Sequence, residues 1–263
     1  MDIQKLCAEV RKIARTTGEF QKSERAKFNH SKVEEKSAYN YVSYVDMESE
    51  RLLVDALSLL LPEAGFISEE ETVSRTGERY NWIVDPLDGT TNYIRNNAPY
   101  CISIALSEGD DILLGVVYEI CRDECFYSWK GAGASWLNGE EIRVSDVDVL
   151  SKAFVALGFP YSFGAYKPVA LRLVDRLYGH SCGCRLQGAA AVELCYVACG
   201  RFDARVEAHL GPWDVAAGGF ILEQAGGKLT DFSGGNSWKS GKEVVASNTK
   251  LCETMLHLIA ENI

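Results

Sequence analysis

One stretch, Trp82-Ile83-Val84-Asp85-Pro86-Leu87-Asp88-Gly89-Thr90-Thr91-Asn92, constrains this chain more than any other. Residues 82–84 read as a short buried strand, and two carboxylates follow three positions apart with Pro86 between them. Proline fixes φ and stiffens the turn, so Asp85 and Asp88 are held where the strand ends. Two acids this close repel unless a cation or a proton sits between them. A Gly-Thr-Thr turn at a strand end frees backbone N–H groups that can face an anion. The fold must therefore finish a core strand where a cation site meets an anion site, which points to chemistry on a phosphate. A purely structural turn is the plainer alternative.

The rest of the chain supplies layers around that strand. Ile3, Leu6, Val10, Ile13 and Thr17 recur at helical spacing and predict an amphipathic helix over 2–20. Residues 28–45 are polar and turn-rich, ending in an extended entry at 41–45. Asp46 then precedes a helix over 47–61, which Pro62 stops. Phe66-Ile67 is a short strand leading into Ser68-Glu69-Glu70-Glu71. Strand signals at 102–106, 112–118, 124–129 and 142–144 are separated by Glu108-Gly109-Asp110-Asp111 and by Asn138-Gly139, which predicts an antiparallel meander. Strands are then expected at 153–157, 203–207 and 244–246. Helices are expected at 165–178, 188–199, 213–225 and 248–261, the middle two almost wholly apolar and so buried. Mixed strands and helices imply an α/β (α+β layered) fold. The acidic run 145–148 divides an N-terminal half, 1–148, from a C-terminal half, 149–263, packed as one unit.

With 263 residues, 47% of them hydrophobic and 24% charged, the chain can bury a large core. A net charge of -10 argues against a nucleic-acid backbone as partner, although bound metal ions can reverse the sign locally. No apolar run approaches the roughly 20 residues of a membrane span. The first residues begin an amphipathic pattern and not a signal-peptide core, so a cytoplasmic protein is expected. Nine cysteines lack zinc spacing and read as reduced thiols.

Asp46, Glu69-Glu70, Asp85/Asp88 and Asp214 each stand at the edge of an expected element. Converging there, they would suit a hard cation such as Mg²⁺. Each also has a plainer reading. Asp46 and Asp214 can be helix caps, and Glu69–Glu71 a solvated run. The four histidines show no ligand spacing, although His209 lies between Glu207 and Asp214.

Residues 82–92 resemble the signature W-x-x-D-P-[IL]-D-G-T-T-N of the inositol monophosphatase family. Pro212-Trp213-Asp214-Val215-Ala216-Ala217-Gly218 resembles that family's second signature. Residues 42–46, 66–70, 158–161 and 188–191 also line up in order, so the resemblance runs from about Lys36 to Gly227. It implies an αβαβα sandwich of the inositol monophosphatase and fructose-1,6-bisphosphatase type. It implies two or three Mg²⁺ ions, with Glu69, Asp85 and the Leu87 carbonyl at the first and Asp85, Asp88 and Asp214 at the second. Glu69 and Thr90 would position the attacking water, and Asp46 would orient Thr90. The N–H groups of Gly89 and Thr90 would hold the phosphate. Glu207 would accept substrate hydroxyls, with Gly188 and Ala190 lining that pocket, and Lys36 and Glu70 lie beside the metals. A homodimer and lithium sensitivity are further implications. Ser68 stands where the family commonly has glycine, and Ala189 where a hydroxyl residue is common.

The expected activity is Mg²⁺-dependent hydrolysis of a small polyol or sugar phosphate, first of all inositol 1-phosphate. Fructose-1,6-bisphosphatase, histidinol-phosphatase and 3′,5′-bisphosphate nucleotidase activities are the alternatives within the superfamily. A catalytically silent metal- or ligand-binding protein is the alternative outside it, and would be expected to have a broken ligand set.

Overall fold

The computed structural model describes every residue except 29–32, 38–39, 74, 161–163, 165 and 261–263. Helix α1 (Ile3–Ala26) leads to a hairpin of β1 (Val33–Ser37) and β2 (Asn40–Ser43), and then to α2 (Tyr44–Leu60). After β3 (Gly65–Ser68) comes the long strand β4 (Tyr80–Asp88) and the short helix α3 (Thr90–Arg95). The meander follows as β5 (Cys101–Glu108), β6 (Asp111–Glu119), β7 (Glu124–Trp129), β8 (Ser135–Leu137) and β9 (Glu140–Ile142). The remainder is β10 (Phe154–Leu157), α4 (Tyr166–Leu177), β11 (Gly183–Arg185), α5 (Ala190–Ala198), β12 (Ala204–Leu210), α6 (Pro212–Gln224), β13 (Gly227–Thr230), β14 (Lys242–Asn248) and α7 (Cys252–Ala260).

Strands β3 to β9 form a seven-stranded sheet in sequence order, parallel between β3 and β4 and antiparallel thereafter. A five-stranded sheet has the order β11-β10-β12-β14-β13, with β10 parallel to both its neighbours. Period-two alternation gives each sheet two apolar faces. Trp82, Val84, Ile102, Ile104 and Leu114 pack against Cys7, Val10, Val45, Leu53 and Leu57 of α1 and α2. Ile83, Ala105, Val117 and Phe126 point the other way, into a core with α5 and α6. Ala156, Val244 and Ala246 close that core from the second sheet. Val155, Leu157, Val206 and Val245 meet α4 and α7 on the far side. The result is five layers, αβαβα. Helices α5 and α6 are apolar all round because they have a sheet on either side. They also touch each other closely: a Cβ on Gly218 would fall 2.6 Å from the Ala191 carbonyl oxygen.

The structure departs from the expected elements in a consistent way. Helix α2 begins at Tyr44, with Ser43 as its cap, so Asp46 lies inside the first turn and not before it. Strand β4 continues past Val84 to Asp88, and its pairing with β5 shifts register between Asp85 and Asp88. Pro86, which has no N–H to give the ladder, sits in that irregularity. Helix α3 and the strands β8, β11 and β13 carry too few residues to show a period. The last strand of the meander ends at Ile142 and not at 144, and the Asn138-Gly139 turn joins β8 to β9. The expected match at Tyr161 lies outside the described residues.

Candidate active site

Four helices, α2, α3, α5 and α6, begin around the C-terminal end of β4, and the acids of the site are also the groups that tie down those helix ends. Asp46 accepts hydrogen bonds from the backbone N–H and the hydroxyl of Ser43, at 2.9 and 2.6 Å. Asp214, in the first turn of α6, accepts from Gly211 N–H at 2.6 Å. Asp88 reaches across from β4 and accepts from Ala190 and Ala191 N–H at 3.0 and 2.7 Å. Ala189, the N-cap of α5, has no side-chain oxygen to offer, so Asp88 serves in its place. Gly89, left-handed at φ 89°, caps α3 and leaves Thr90 as its first residue. For these acids, capping a helix and belonging to a site are compatible. The N–H groups of Ser43, Gly211, Ala190 and Ala191 fix the orientation of the three carboxylates.

Asp85, Asp88 and Asp214 come together, each offering an oxygen within 4.8 Å of the others'. Asp85 and Asp88 are buried. Burial, followed by the charges of Glu69, Asp88 and Asp214, raises the Asp85 carboxyl well above its usual range. Asp214 is raised in the same way by burial, Asp88 and Glu69. Burial pushes Asp88 up to about 6 against the hydrogen bonds of Ala191 and Ala190. Among the described residues no lysine or arginine forms an ion pair with any of the three. A largely buried all-oxygen cluster without an ion-pair partner fits a hard divalent cation. The Leu87 carbonyl between Asp85 and Asp88 adds one more hard donor.

Thr90 Oγ1 lies 2.8 Å from Asp46 Oδ1 and 3.1 Å from the Leu87 carbonyl oxygen. Its single proton can serve one acceptor at a time. Burial pushes Asp46 up to about 6, against the hydrogen bonds from Ser43 and Thr90. Lys36 reaches from β1 to Glu69 at 3.3 Å and to Glu70 at 2.6 Å. Glu70 is pushed up to about 7, by burial first.

A cavity of about 1010 Å³ opens over the cluster. Glu69, Asp85, Leu87, Asp88, Gly89, Thr90, Gly188, Ala190, Glu207 and Asp214 all line it. Asp46, Glu70 and Lys36 lie behind this wall, touching the site through Thr90 and Glu69. Sequence reasoning missed several further residues. Asn92 Nδ2 donates to the Pro99 and Gln187 carbonyls at 2.8 and 2.6 Å, pinning the cavity loop around Gln187. Glu50 is buried and accepts from Glu70 N–H, Thr72 N–H and the Thr72 hydroxyl, which holds the Glu69–Glu70 segment. Glu193 and Arg205 form a buried pair behind Glu207. A lone acid in the apolar 188–199 run was the available signal, since a buried charge calls for a partner. His209 lines the cavity with φ at 62°, in a bulge of β12 between Ala208 and Leu210.

Residues 2–263 match the model of the inositol monophosphatase family, and the chain belongs to that family, whose members are phosphatases that use divalent metals. The Nus factor SuhB of Pseudomonas aeruginosa is 35% identical over 257 residues, 96% of this chain and 94% of that protein. The crystal structure of the extragenic suppressor protein suhB from Bartonella henselae matches with a TM-score of 0.90 and 31% identity, over 96% of this chain and 97% of that one. An IMPase of Thermotoga maritima matches with a TM-score of 0.88 and 30% identity, over 99% and 98% of the two chains. Among the described residues no helix is long and apolar enough to cross a membrane.

Proposed function

We propose that this protein is a Mg²⁺-dependent phosphatase of small polyol monophosphates, with inositol 1-phosphate as its first substrate. The observation that carries the reading is one cavity with the Asp85/Asp88/Asp214 cluster at the Gly89–Thr90 turn and the carboxylate of Glu207 also on its lining. Asp85, Asp88, Asp214, Glu69 and the Leu87 carbonyl would hold the metal. When bound, Mg²⁺ neutralises the phosphate and supplies Lewis acidity to the water and to the leaving oxygen. The chain's own groups do the positioning. The N–H groups of Gly89 and Thr90 donate to the phosphate at the start of α3. Asp46 accepts the hydrogen bond of the Thr90 hydroxyl, which leaves the hydroxyl oxygen's lone pairs free to orient the attacking water together with Glu69. Glu207 accepts hydroxyl hydrogen bonds from the polyol. Phosphate monoester hydrolysis needs little covalent help from the protein beyond such positioning and charge stabilisation.

The free state of all nine cysteines supports a reducing, cytoplasmic setting, and a homodimer is part of the same reading. The SuhB relatives carry the name Nus factor, but the complete set Asp46, Glu69, Asp85, Asp88, Thr90 and Asp214 favours an enzyme over a silent binding protein. The test is phosphate release with Mg²⁺ from inositol 1-phosphate, fructose 1,6-bisphosphate, histidinol phosphate and adenosine 3′,5′-bisphosphate. Highest kcat/KM for inositol 1-phosphate supports the reading; a preference for another of the four reassigns the substrate. Release from none overturns the enzyme.

A further inference from the structure

Behind Glu207 the fold builds a charge network beside the acidic cluster. Arg205 and Glu207 are two positions apart on β12, so both point to the α5 side of the sheet. There Arg205, fully buried, meets Glu193, the one acid of α5. Arg205 Nε donates to Glu193 Oε2 at 2.8 Å, and its Nη2 donates to Glu207 Oε2. Glu193 Oε1 accepts from Gln187 N–H at 3.0 Å. The Gln187 carbonyl in turn accepts from Asn92, which belongs to the phosphate-side helix α3. On its other side Glu207 lies against Gly158, where a Cβ would stand 1.9 Å from the Glu207 carboxyl carbon. Glu207 is therefore boxed between a guanidinium and a bare backbone. Oε1 accepts no hydrogen bond among the described residues, and the side chain remains 13% exposed, on the cavity.

We propose that Arg205 is a positioning residue for polyol recognition: it holds Glu207 by Oε2 and presents Oε1 to the hydroxyls of the substrate. This rests on the reading of the cavity as a polyol-phosphate site. Two physical consequences follow from the arrangement. The orientation of Glu207 is fixed before substrate arrives, so little freedom is lost on binding. The guanidinium also offsets the charge of Glu207, which would otherwise repel a phosphate ester in the same cavity. Lysine cannot replace this function, because a single ammonium lacks the planar fork that spans both carboxylates.

The experiment compares inositol 1-phosphate with phenyl phosphate, an ester whose ring carries no hydroxyl groups, in Mg²⁺. For Arg205→Lys the KM for inositol 1-phosphate should rise about tenfold with kcat within about twofold, and both constants for phenyl phosphate should stay within about twofold. Glu193→Gln breaks the network one bond further from the substrate, and should raise the same KM about two- to threefold. A merely structural role would lower turnover of both esters together. That result, or an unchanged KM for inositol 1-phosphate in Arg205→Lys, overturns the assignment. Wild-type protein that hydrolyses phenyl phosphate but not inositol 1-phosphate overturns the polyol reading and the assignment with it. Should Arg205→Lys not fold, Glu193→Gln decides by the same contrast between esters.

Discussion

Two acidic clusters, one lining the cavity and one reaching it through Glu207, are built differently. Asp85, Asp88 and Asp214 are held by backbone N–H groups and form no ion pair among the described residues; burial raises all three, and neighbouring acids add to the rise of Asp85 and Asp214. Glu193 and Glu207 share the guanidinium of Arg205. Here too burial raises Glu193, up to about 7, but Arg205 opposes the shift. The first cluster is incomplete without a cation from outside, whereas the second brings its own. On the proposed function, the cluster without a cation of its own would be the reacting end and the Arg205-paired cluster the recognition end.

Breaking the self-paired cluster should have the largest effect. Arg205→Met leaves two buried carboxylates without a partner and should cost about 3–5 kcal/mol of stability in urea unfolding. Asp88→Asn should differ. It exchanges one of the two oxygens that cap α5 for an amide donor, so metal-free protein should lose only about 1 kcal/mol, while kcat falls about 10²–10³-fold, worth about 2.7–4 kcal/mol. If both variants unfold alike, the contrast between the clusters fails. Adding Mg²⁺ to chelated protein should stabilise it by about 2.7 kcal/mol at a hundredfold excess over Kd, read as a rise in Tm, and Asp88→Asn should lose most of that rise.

Asp231 gives the smallest effect and a control remote from either cluster. Its carboxylate accepts from the hydroxyls and N–H groups of Ser233 and Ser237 and from Gly235 N–H, which lowers its pKa below the usual carboxylate range. A depressed folded-state pKa contributes stability that is fully present above the unfolded value and is lost as pH falls through the folded one. Asp231→Asn should therefore cost about 1–2 kcal/mol at pH 7, flatten the loss of stability below pH about 4, and leave kcat unchanged. Equal acid sensitivity of variant and wild type would remove this role.

What could be read from the sequence followed the range of the interactions. Residues 82–92 were legible because strand, proline, acids and glycine lie side by side in the chain. The layered architecture was legible because the periods of α1, α2, β5, β6 and β7 are long. Helix α3 was not, since it spans under two turns, nor were β8, β11 and β13, which have three or four residues and no run of four apolar ones such as Phe154–Leu157. Asp46 and Asp214 invited a choice between cap and site; the structure shows each accepting the N–H of its own helix cap, which fixes its orientation. Arg205 was invisible because its partner Glu193 lies on another element. Glu207, named from its place in the family pattern, could be located but not its support from Gly158 and Arg205.

The most direct test of the account is a Mg²⁺ titration of chelated protein, followed by phosphate release from inositol 1-phosphate. Chelated protein should release no phosphate, activity should recover saturably as Mg²⁺ is returned, and Asp88→Asn should not recover at the same concentrations. Undiminished hydrolysis in chelator, or full recovery in Asp88→Asn, would contradict it.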